Sequence, residues 1–260
     1  MEKVFLNKLD EVFRSGKKNL LNMYCTAGFP FLESTEEVVL ALQNNGADMV
    51  EIGIPYSDPI ADGPVIQQSN MIALSNGMNI ITLFDQLKAF KVRVHIPVIL
   101  MGYFNPVLQF GVEKFCISAS EAGVAGVIIP DIPMHEYENS YQSLFAKHNL
   151  KFILLITPST PLKRIKKADR LSSGFLYAVS TSSTTGNKRA DISEDYITLL
   201  SKADLVNPLM FGFGINSKQT FEKACSYASG AIIASAYIKA LQKDQDIQRV
   251  TKEFIDSILN

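Results

Sequence analysis

Glu51 stands inside an apolar run, DMVEIGI (48–54), and the loop that follows, PYSDPIADGP (55–64), carries two more carboxylates, Asp58 and Asp62. Side chains alternate along a strand, so Val50, Ile52 and Ile54 form one row and Met49, Glu51 and Gly53 the other. The branched row suits a layer facing helices. Glu51 then points inward, beside a glycine that leaves room. An unpaired buried carboxylate is costly, its pKa rises, and it becomes able to exchange protons near neutral pH. The competing reading is a structural glutamate paired with Arg or Lys, but no expected strand interior holds either. Asp58 and Asp62 lie on a loop that Pro59 and Pro64 stiffen and where Gly63 permits a tight turn, and turn chemistry is the ordinary role of an aspartate there.

A second constellation is poor in charge and rich in small residues. TTGNKRA (184–190), GFGINS (212–217) and AIIASAYIKAL (231–241) each follow an expected strand, and the last starts a short helix near Ser235. Backbone N–H groups and a helix N-terminus at such places can cradle a phosphate. Ordinary turns are the alternative. A Schiff-base mechanism lacks its nucleophile, because no lysine falls at an expected strand end. His95, His135 and His148 are scattered, which disfavours a histidine-rich metal site, while a magnesium site from Glu51, Asp62 and Asp131 stays open.

These residues need a scaffold. Eight short apolar runs recur: 20–26, 48–54, 97–104, 126–131, 151–157, 175–180, 208–214 and 230–234. Between them lie stretches of helical period, at 34–45, 111–122, 136–148, 161–171, 192–203, 217–228 and 246–259. Ser34 and Glu37 have the spacing of a capping box. An opening helix is expected over Glu2 to Arg14, with Val4, Phe5, Leu9, Val12 and Phe13 on one stripe. Strands too apolar for a one-faced sheet, alternating with helices, imply a covered parallel sheet. Eight of them favour one (β/α)₈ TIM barrel of the α/β class spanning 1–260, with an additional N-terminal helix. Its active site belongs on the face where strands end.

Composition narrows the function. The net charge is −1 over 260 residues, and the densest basic stretch, 163–170, reads as a solvated helix face, so nucleic-acid binding is not expected. No apolar run approaches the ~20 residues of a bilayer span, so no membrane partner is expected. Cys25, Cys116 and Cys225 lack metal spacing and, without a secretory leader, read as reduced cytoplasmic thiols.

Several ordered motifs carry a resemblance over nearly the whole chain: TAGFP (26–30), ADMVEIGIPYSDPIADGPVIQ (47–67), PVILMGYFNPV (97–107), PDIPMHE (130–136) and FGFGI (211–215). The chain resembles the tryptophan synthase alpha subunit family. The resemblance implies a lyase of tryptophan biosynthesis that cleaves indole-3-glycerol phosphate to indole and glyceraldehyde 3-phosphate. It implies no cofactor or metal on this chain, and a beta-subunit partner, in an alpha2beta2 assembly, that carries pyridoxal phosphate. By matching position it implies Glu51 and Asp62 as the catalytic pair. Gly186, Gly214, Ala234 and Ser235 would hold the phosphate. Tyr24, Met101, Tyr103, Ile128, Leu155, Tyr177 and Phe213 would surround the indole. Pro55, Tyr56, Ser57, Asp58, Pro59 and Ile60 would meet the partner, together with Asn105 and Pro106. The loops at 55–64 and 181–190 read as lids. Two departures stand out: STSSTTGNKRA replaces the GVTG pattern of many members, and Ala234 replaces a glycine beside the phosphate serine. Two rival readings remain beside this one: another phosphosugar enzyme, with Mg²⁺, and a catalytically silent activating subunit.

Overall fold

The computed structural model describes residues 6–179, 193–212 and 214–260. Nine strands form one parallel sheet: β1 (Leu20–Thr26), β2 (Met49–Gly53), β3 (Val98–Met101), β4 (Gly126–Ile128), β5 (Lys151–Phe152), β6 (Leu155–Ile156), β7 (Leu176–Val179), β8 (Leu209–Gly212) and β9 (Gly230–Ile233). The expected eight become nine because the run at 151–157 is interrupted. The order is β5-β4-β3-β2-β1-β9-β8-β7-β6, with the two halves of that one run at opposite ends. Ile153 N–H donates to Val127 O at 2.9 Å, and Tyr177 N–H donates to Leu154 O at 3.0 Å. One stretch of chain therefore bonds to β4 on one side and to β7 on the other. The sheet closes into a TIM barrel through residues 151–156.

Alternation sorts the side chains as the pattern of 48–54 predicts. Met49 joins Leu20, Ile99, Ile153, Phe175, Met210 and Ile232 in an apolar layer inside the barrel. Val50, Ile52 and Ile54 pack outward against the helices. The interior is a packed core with no pore.

Helix Lys8–Arg14 covers one end of that core. It is shorter at its start than expected: Asn7 caps it, its side chain accepting from Leu9 N–H, and Val4 and Phe5 lie outside the described residues. The Asn7 amide also donates to Ala125 O at 2.9 Å and Asn149 O at 2.7 Å, just ahead of β4 and β5. Leu9, fully buried, joins the inner layer and closes the N-terminal mouth. The opposite mouth is left for chemistry.

The other helices follow their caps. Lys218–Cys225 starts at a reciprocal Ser217–Thr220 box, and Ile247–Leu259 at Asp246. The Ser34–Glu37 box does not form. Glu33 is the cap of Ser34–Asn44, and Ser34 Oγ turns back to accept from Phe31 N–H at 3.2 Å. Three helices lie outside the expected stretches, Pro64–Ser75, Ile80–Phe90 and Phe104–Phe110, although Ile80–Phe90 buries a regular stripe of Leu83, Phe84, Leu87 and Phe90. The first buries Ser69 and Asn70 beside Ile66 and Ala73, so its inward face is half polar. The segment expected as one helix at 136–148 carries a π turn at Tyr137–Tyr141 between α-helical ends.

Candidate active site

Glu51 lies on β2, 1% exposed, facing into the open mouth of the barrel. Asn22 on β1 donates from Nδ2 to Glu51 Oε1 at 2.6 Å, and Oε2 has no hydrogen-bond partner among the described residues. Burial pushes the carboxyl up to about 8, and the Asn22 hydrogen bond only partly opposes this. A neutral amide favours the anion far less than a lysine or arginine would. Glu51 is therefore mostly protonated at neutral pH.

Asp62 comes from the loop after β2. Gly63 and Pro64 start the helix that follows, and Pro59 O accepts from Asp62 N–H at 3.0 Å. Burial raises its carboxyl to about 6, opposed by a hydrogen bond from the Tyr103 hydroxyl. The same hydroxyl accepts from Ala61 N–H at 3.0 Å, so Tyr103, just past β3, pins both the loop backbone and its carboxylate. Asp62 is mostly ionised at pH 7.

Two tyrosines occupy matching positions on opposite flanks. Tyr24 on β1 lies over Gly53 of β2: a Cβ there would sit 2.0 Å from the Tyr24 hydroxyl. Tyr177 on β7 lies over Gly212 of β8, with the corresponding distance 2.1 Å. In each pair the strand register puts the glycine two residues beyond the tyrosine's direct partner, Glu51 for Tyr24 and Met210 for Tyr177. Both glycines are required by the ring that crosses them. Burial holds both phenols well above their usual pKa, with the nearby carboxylates adding to the effect, so they stay neutral.

The mouth opens into a cavity of about 1090 Å³. Glu51, Asp62, Tyr24, Met101, Leu155 and Tyr177 line it on the side of the carboxylates, and Gly214, Ala234 and Ser235 on the other. Gly214 has φ +76°, a conformation that favours glycine. Ala234 caps helix Ser235–Leu241, whose first turn borders the cavity. An anion held there would meet N–H groups at the start of this helix, and Lys239, Lys243 and Arg249 also line the cavity.

Not every expected residue converges. Tyr103 lines a small adjoining cleft with Tyr24, Asp62, Met101 and Asn70. Ile128 is fully buried in the inner apolar layer and lines neither space. Gly186 and Phe213 lie outside the described residues, as does the segment 181–190. Asp131, held open as a magnesium ligand, uses both oxygens to accept from Phe104 N–H, at 2.9 and 3.1 Å. Among the described residues no three Asp, Glu, His or Cys side chains gather as a metal site. Asn22 and Asn70 escape a reading of the sequence. Each is one polar residue in an otherwise unremarkable segment, and only its burial, at 0% and 2% exposure, marks it.

On the rim, Ile60 is 81% exposed and Ser57 and Asp58 are exposed, while Pro55 and Pro59 are buried. Tyr56 stacks at a tilt on Tyr103, ring centroids 5.4 Å apart, and accepts from Asn105 Nδ2 at 3.3 Å. Asn105 is exposed and Pro106 half-buried at the start of helix Phe104–Phe110. These two segments form one continuous edge beside Asp62.

A closed parallel barrel, with two carboxylates of unlike ionisation at the mouth where its strands end, defines a TIM-barrel enzyme of the acid–base type. The chain belongs to the tryptophan synthase alpha chain family, whose model matches residues 11–258. It is 46% identical over 241 residues to the tryptophan synthase alpha chain of Flavobacterium psychrophilum, covering 92% of this chain and 95% of that one. The alpha chain of Bacteroides thetaiotaomicron is 42% identical over 256 residues, covering 97% and 100%. Among solved structures, tryptophan synthase subunit alpha from Legionella pneumophila str. Paris superposes with a TM-score of 0.87 at 30% identity, covering 98% and 97%. Tryptophan synthase from M. tuberculosis, in an aminoacrylate-bound form, gives 0.84 at 28% identity, covering 97% and 100%.

Proposed function

We propose that Glu51 and Asp62 divide between them the work of a retro-aldol cleavage, Glu51 carrying the proton transfers and Asp62 the counter-charge. The chain is a carbon–carbon lyase of tryptophan biosynthesis, cleaving indole-3-glycerol phosphate to indole and glyceraldehyde 3-phosphate, and it works with a beta subunit. The observation that carries the division of labour is the pair of unlike carboxylates on one cavity: Glu51 at about 8 and Asp62 at about 6.

Indole C3 leaves its side chain only after it has gained a proton. Glu51, protonated at neutral pH, delivers that proton from Oε2. The ring becomes an indolenine cation with its charge at N1. Asp62, ionised, accepts the N1–H hydrogen bond and offsets the charge. The bond from C3 to the carbinol carbon then breaks, and its electron pair restores the indole. The carbinol O–H proton passes to the Glu51 carboxylate as the aldehyde forms, which returns Glu51 to its starting state. Each proton transfer contributes roughly 10²–10⁴ in rate. Tyr24, Met101, Leu155 and Tyr177 bound the indole, and Gly214, Ala234 and Ser235 hold the phosphate through N–H groups and the serine hydroxyl. The methyl of Ala234 narrows this cradle and leaves its N–H available.

None of these steps calls for a cofactor on this chain; pyridoxal phosphate belongs to the beta partner. The exposed edge of Ser57, Asp58, Ile60 and Asn105, backed by Pro55, Tyr56, Pro59 and Pro106, is the surface that partner covers. No helix among the described residues is long and apolar enough to cross a membrane. The biosynthetic family supports reading the enzyme as cytoplasmic.

A coupled assay for glyceraldehyde 3-phosphate release from indole-3-glycerol phosphate, with and without beta subunit and with and without EDTA, tests this reading. Release that beta subunit increases and EDTA leaves unchanged is expected. No release in the presence of beta subunit overturns the lyase assignment for these residues, and loss in EDTA restores a metal mechanism.

A further inference from the structure

Asn22 is an anomaly inside the barrel. The inward layer around it is apolar, made of residues such as Leu20, Met49, Ile99 and Ile232. Asn22 is fully buried, and its Oδ1 has no partner among the described residues. A buried polar group left half-satisfied costs stability, so a purely structural side chain here would be expected to be apolar. Among the described residues its side chain makes one hydrogen bond, at 2.6 Å to Glu51 Oε1. The two residues are diagonal neighbours on adjacent strands, since Asn22 pairs in register with Met49 and Tyr24 with Glu51. Strand-to-strand pairing fixes their separation more rigidly than any loop could.

We propose that Asn22 is a positioning residue that dedicates the two oxygens of Glu51 to different tasks. The ionised carboxylate can only accept, so the amide turns its Nδ2–H toward Oε1, and with the amide in that orientation Oε1 stays occupied when the proton returns. The proton is thereby confined to Oε2, the unpartnered oxygen of a residue that lines the cavity. The O–H bond that breaks when C3 is protonated, and re-forms when the carbinol proton is taken, is then always the same one. The other titratable groups around Glu51 are Tyr24 and Cys25 from β1, Tyr177 from β7 and Asp62 from the loop. None is a cation, so the Asn22 amide supplies the hydrogen bond that favours the ionised form.

This inference rests on Glu51 being the acid–base, and its test separates the two. Label the glutamate Cδ with ¹³C, assign Glu51 by the resonance missing in Glu51→Gln, and titrate the isolated chain without substrate. In Asn22→Leu the Glu51 midpoint should move to higher pH by roughly one unit, because the donor that favours the anion is gone. In the same variant kcat should fall about tenfold with KM little changed, as for loss of an interaction that matters during proton transfer. An unmoved midpoint overturns the proposal, and so does a moved midpoint with unchanged kcat. If Asn22→Leu does not fold, Asn22→Asp keeps the shape and removes the donor. The two carboxyls should then titrate as a coupled pair in two separated steps, and a single unshifted Glu51 step overturns the proposal. Full turnover in Glu51→Gln would instead remove Glu51 from the chemistry, whatever Asn22 does to its titration.

Discussion

Glu51 and Asp62 face the same cavity, eleven positions apart in sequence, but different parts of the molecule control them. Glu51 is on a strand paired on both sides, with Tyr24 opposite it on β1 and Ile99 on β3. Its position is set by the barrel, and its ionisation by burial with a single amide for company. Asp62 is on a loop held to the barrel through the hydroxyl of Tyr103, and the rim of that loop is exposed. The strand carboxylate is fixed and neutral at pH 7. The loop carboxylate is charged, and its placement depends on the Tyr103 hydroxyl, on backbone contacts to Pro59 and Gln67, and on whatever covers the rim. An acid that must meet a carbon atom gains most from rigidity. A counter-charge for a delocalised cation tolerates some movement, which makes it the natural point of control.

The largest effect should come from the rigid half. Glu51→Gln keeps the shape and cannot carry a proton, so turnover should fall by roughly 10²–10⁴ with substrate binding retained. A variant keeping even a tenth of the turnover would break the assignment. Asp62→Asn should be severely but less completely impaired, because an amide can still accept from the indole N–H but brings no charge. Ranking the two by kcat at saturating substrate tests the comparison itself. Equal losses would mean that the charge matters as much as the proton.

Stability should show the same asymmetry. The folded-state pKa of Glu51 lies above its ordinary value of 4.5, at about 8. A raised pKa contributes stability that is fully present below the unfolded value and is lost as pH rises through the folded one. Wild type should therefore lose stability between about pH 4.5 and pH 8, on the order of several kcal/mol at most. Glu51→Gln should flatten that slope and melt higher than wild type at pH 8.5. Asp62→Asn should remove a smaller loss, confined between about pH 4 and pH 6. Melting curves of the three proteins across pH 4 to 9 decide this. A slope unchanged in Glu51→Gln would show that Glu51 ionises freely in the folded chain.

How much of this could be read from the sequence follows from the range of the interactions. Strict alternation in 48–54 determines which side of the barrel Glu51 faces, because period-2 order is local. The eight runs imply the barrel for the same reason. Depth along the barrel axis is not local. Ile128 sits in its run as regularly as Leu155 does, yet the stagger of neighbouring strands buries one below the cavity and leaves the other lining it. Asn22 reaches Glu51 across 29 residues, and nothing within LLNMYCT marks that partner. Helix Pro64–Ser75 escapes notice because Ser69 packs inward to meet Thr26, 2.7 Å away, so its buried face shows no apolar stripe. Residue types at the site were legible; cross-strand and helix-to-strand contacts were not.

A smaller effect, on the loop half alone, should follow from Tyr103→Phe. The ring stays and its stacking on Tyr56 survives, but Asp62 loses a donor that favours its ionised form and Ala61 N–H loses its acceptor. The Asp62 pKa should rise, so a larger fraction is neutral at pH 6 to 7. Turnover should drop about tenfold there, the scale of one lost hydrogen bond to a charged group. Relative to wild type it should recover in part as pH rises toward 8. A loss independent of pH would assign Tyr103 to packing, and no loss would show that the loop is held by other contacts.

The smallest change in the isolated chain should come from Asp58→Ala, and it is the most informative about control. Asp58 is exposed; Ser57 Oγ donates to its Oδ2 at 2.5 Å, and its carbonyl accepts from Ile60 N–H at 2.9 Å. It lies four residues before Asp62 on the edge assigned to the partner, and nothing places it against the cavity. Removing its carboxylate should leave the turnover of the isolated chain essentially as it was. Beta subunit, by covering Ser57, Asp58 and Ile60, would favour the loop position that brings Asp62 over the substrate, a shift toward a state the loop already samples. Such coupling is reciprocal in binding, so a substrate analogue on this chain should tighten the complex by the factor with which beta subunit tightens the analogue. In Asp58→Ala both factors should shrink together, and stimulation of turnover at saturating beta subunit should shrink with them. Equal stimulation of wild type and Asp58→Ala would move the control point off this carboxylate, most directly to Ile60 or Asn105. Stimulation lost without any change in either binding factor would show that Asp58 acts on the chemical step and not on the position of the loop.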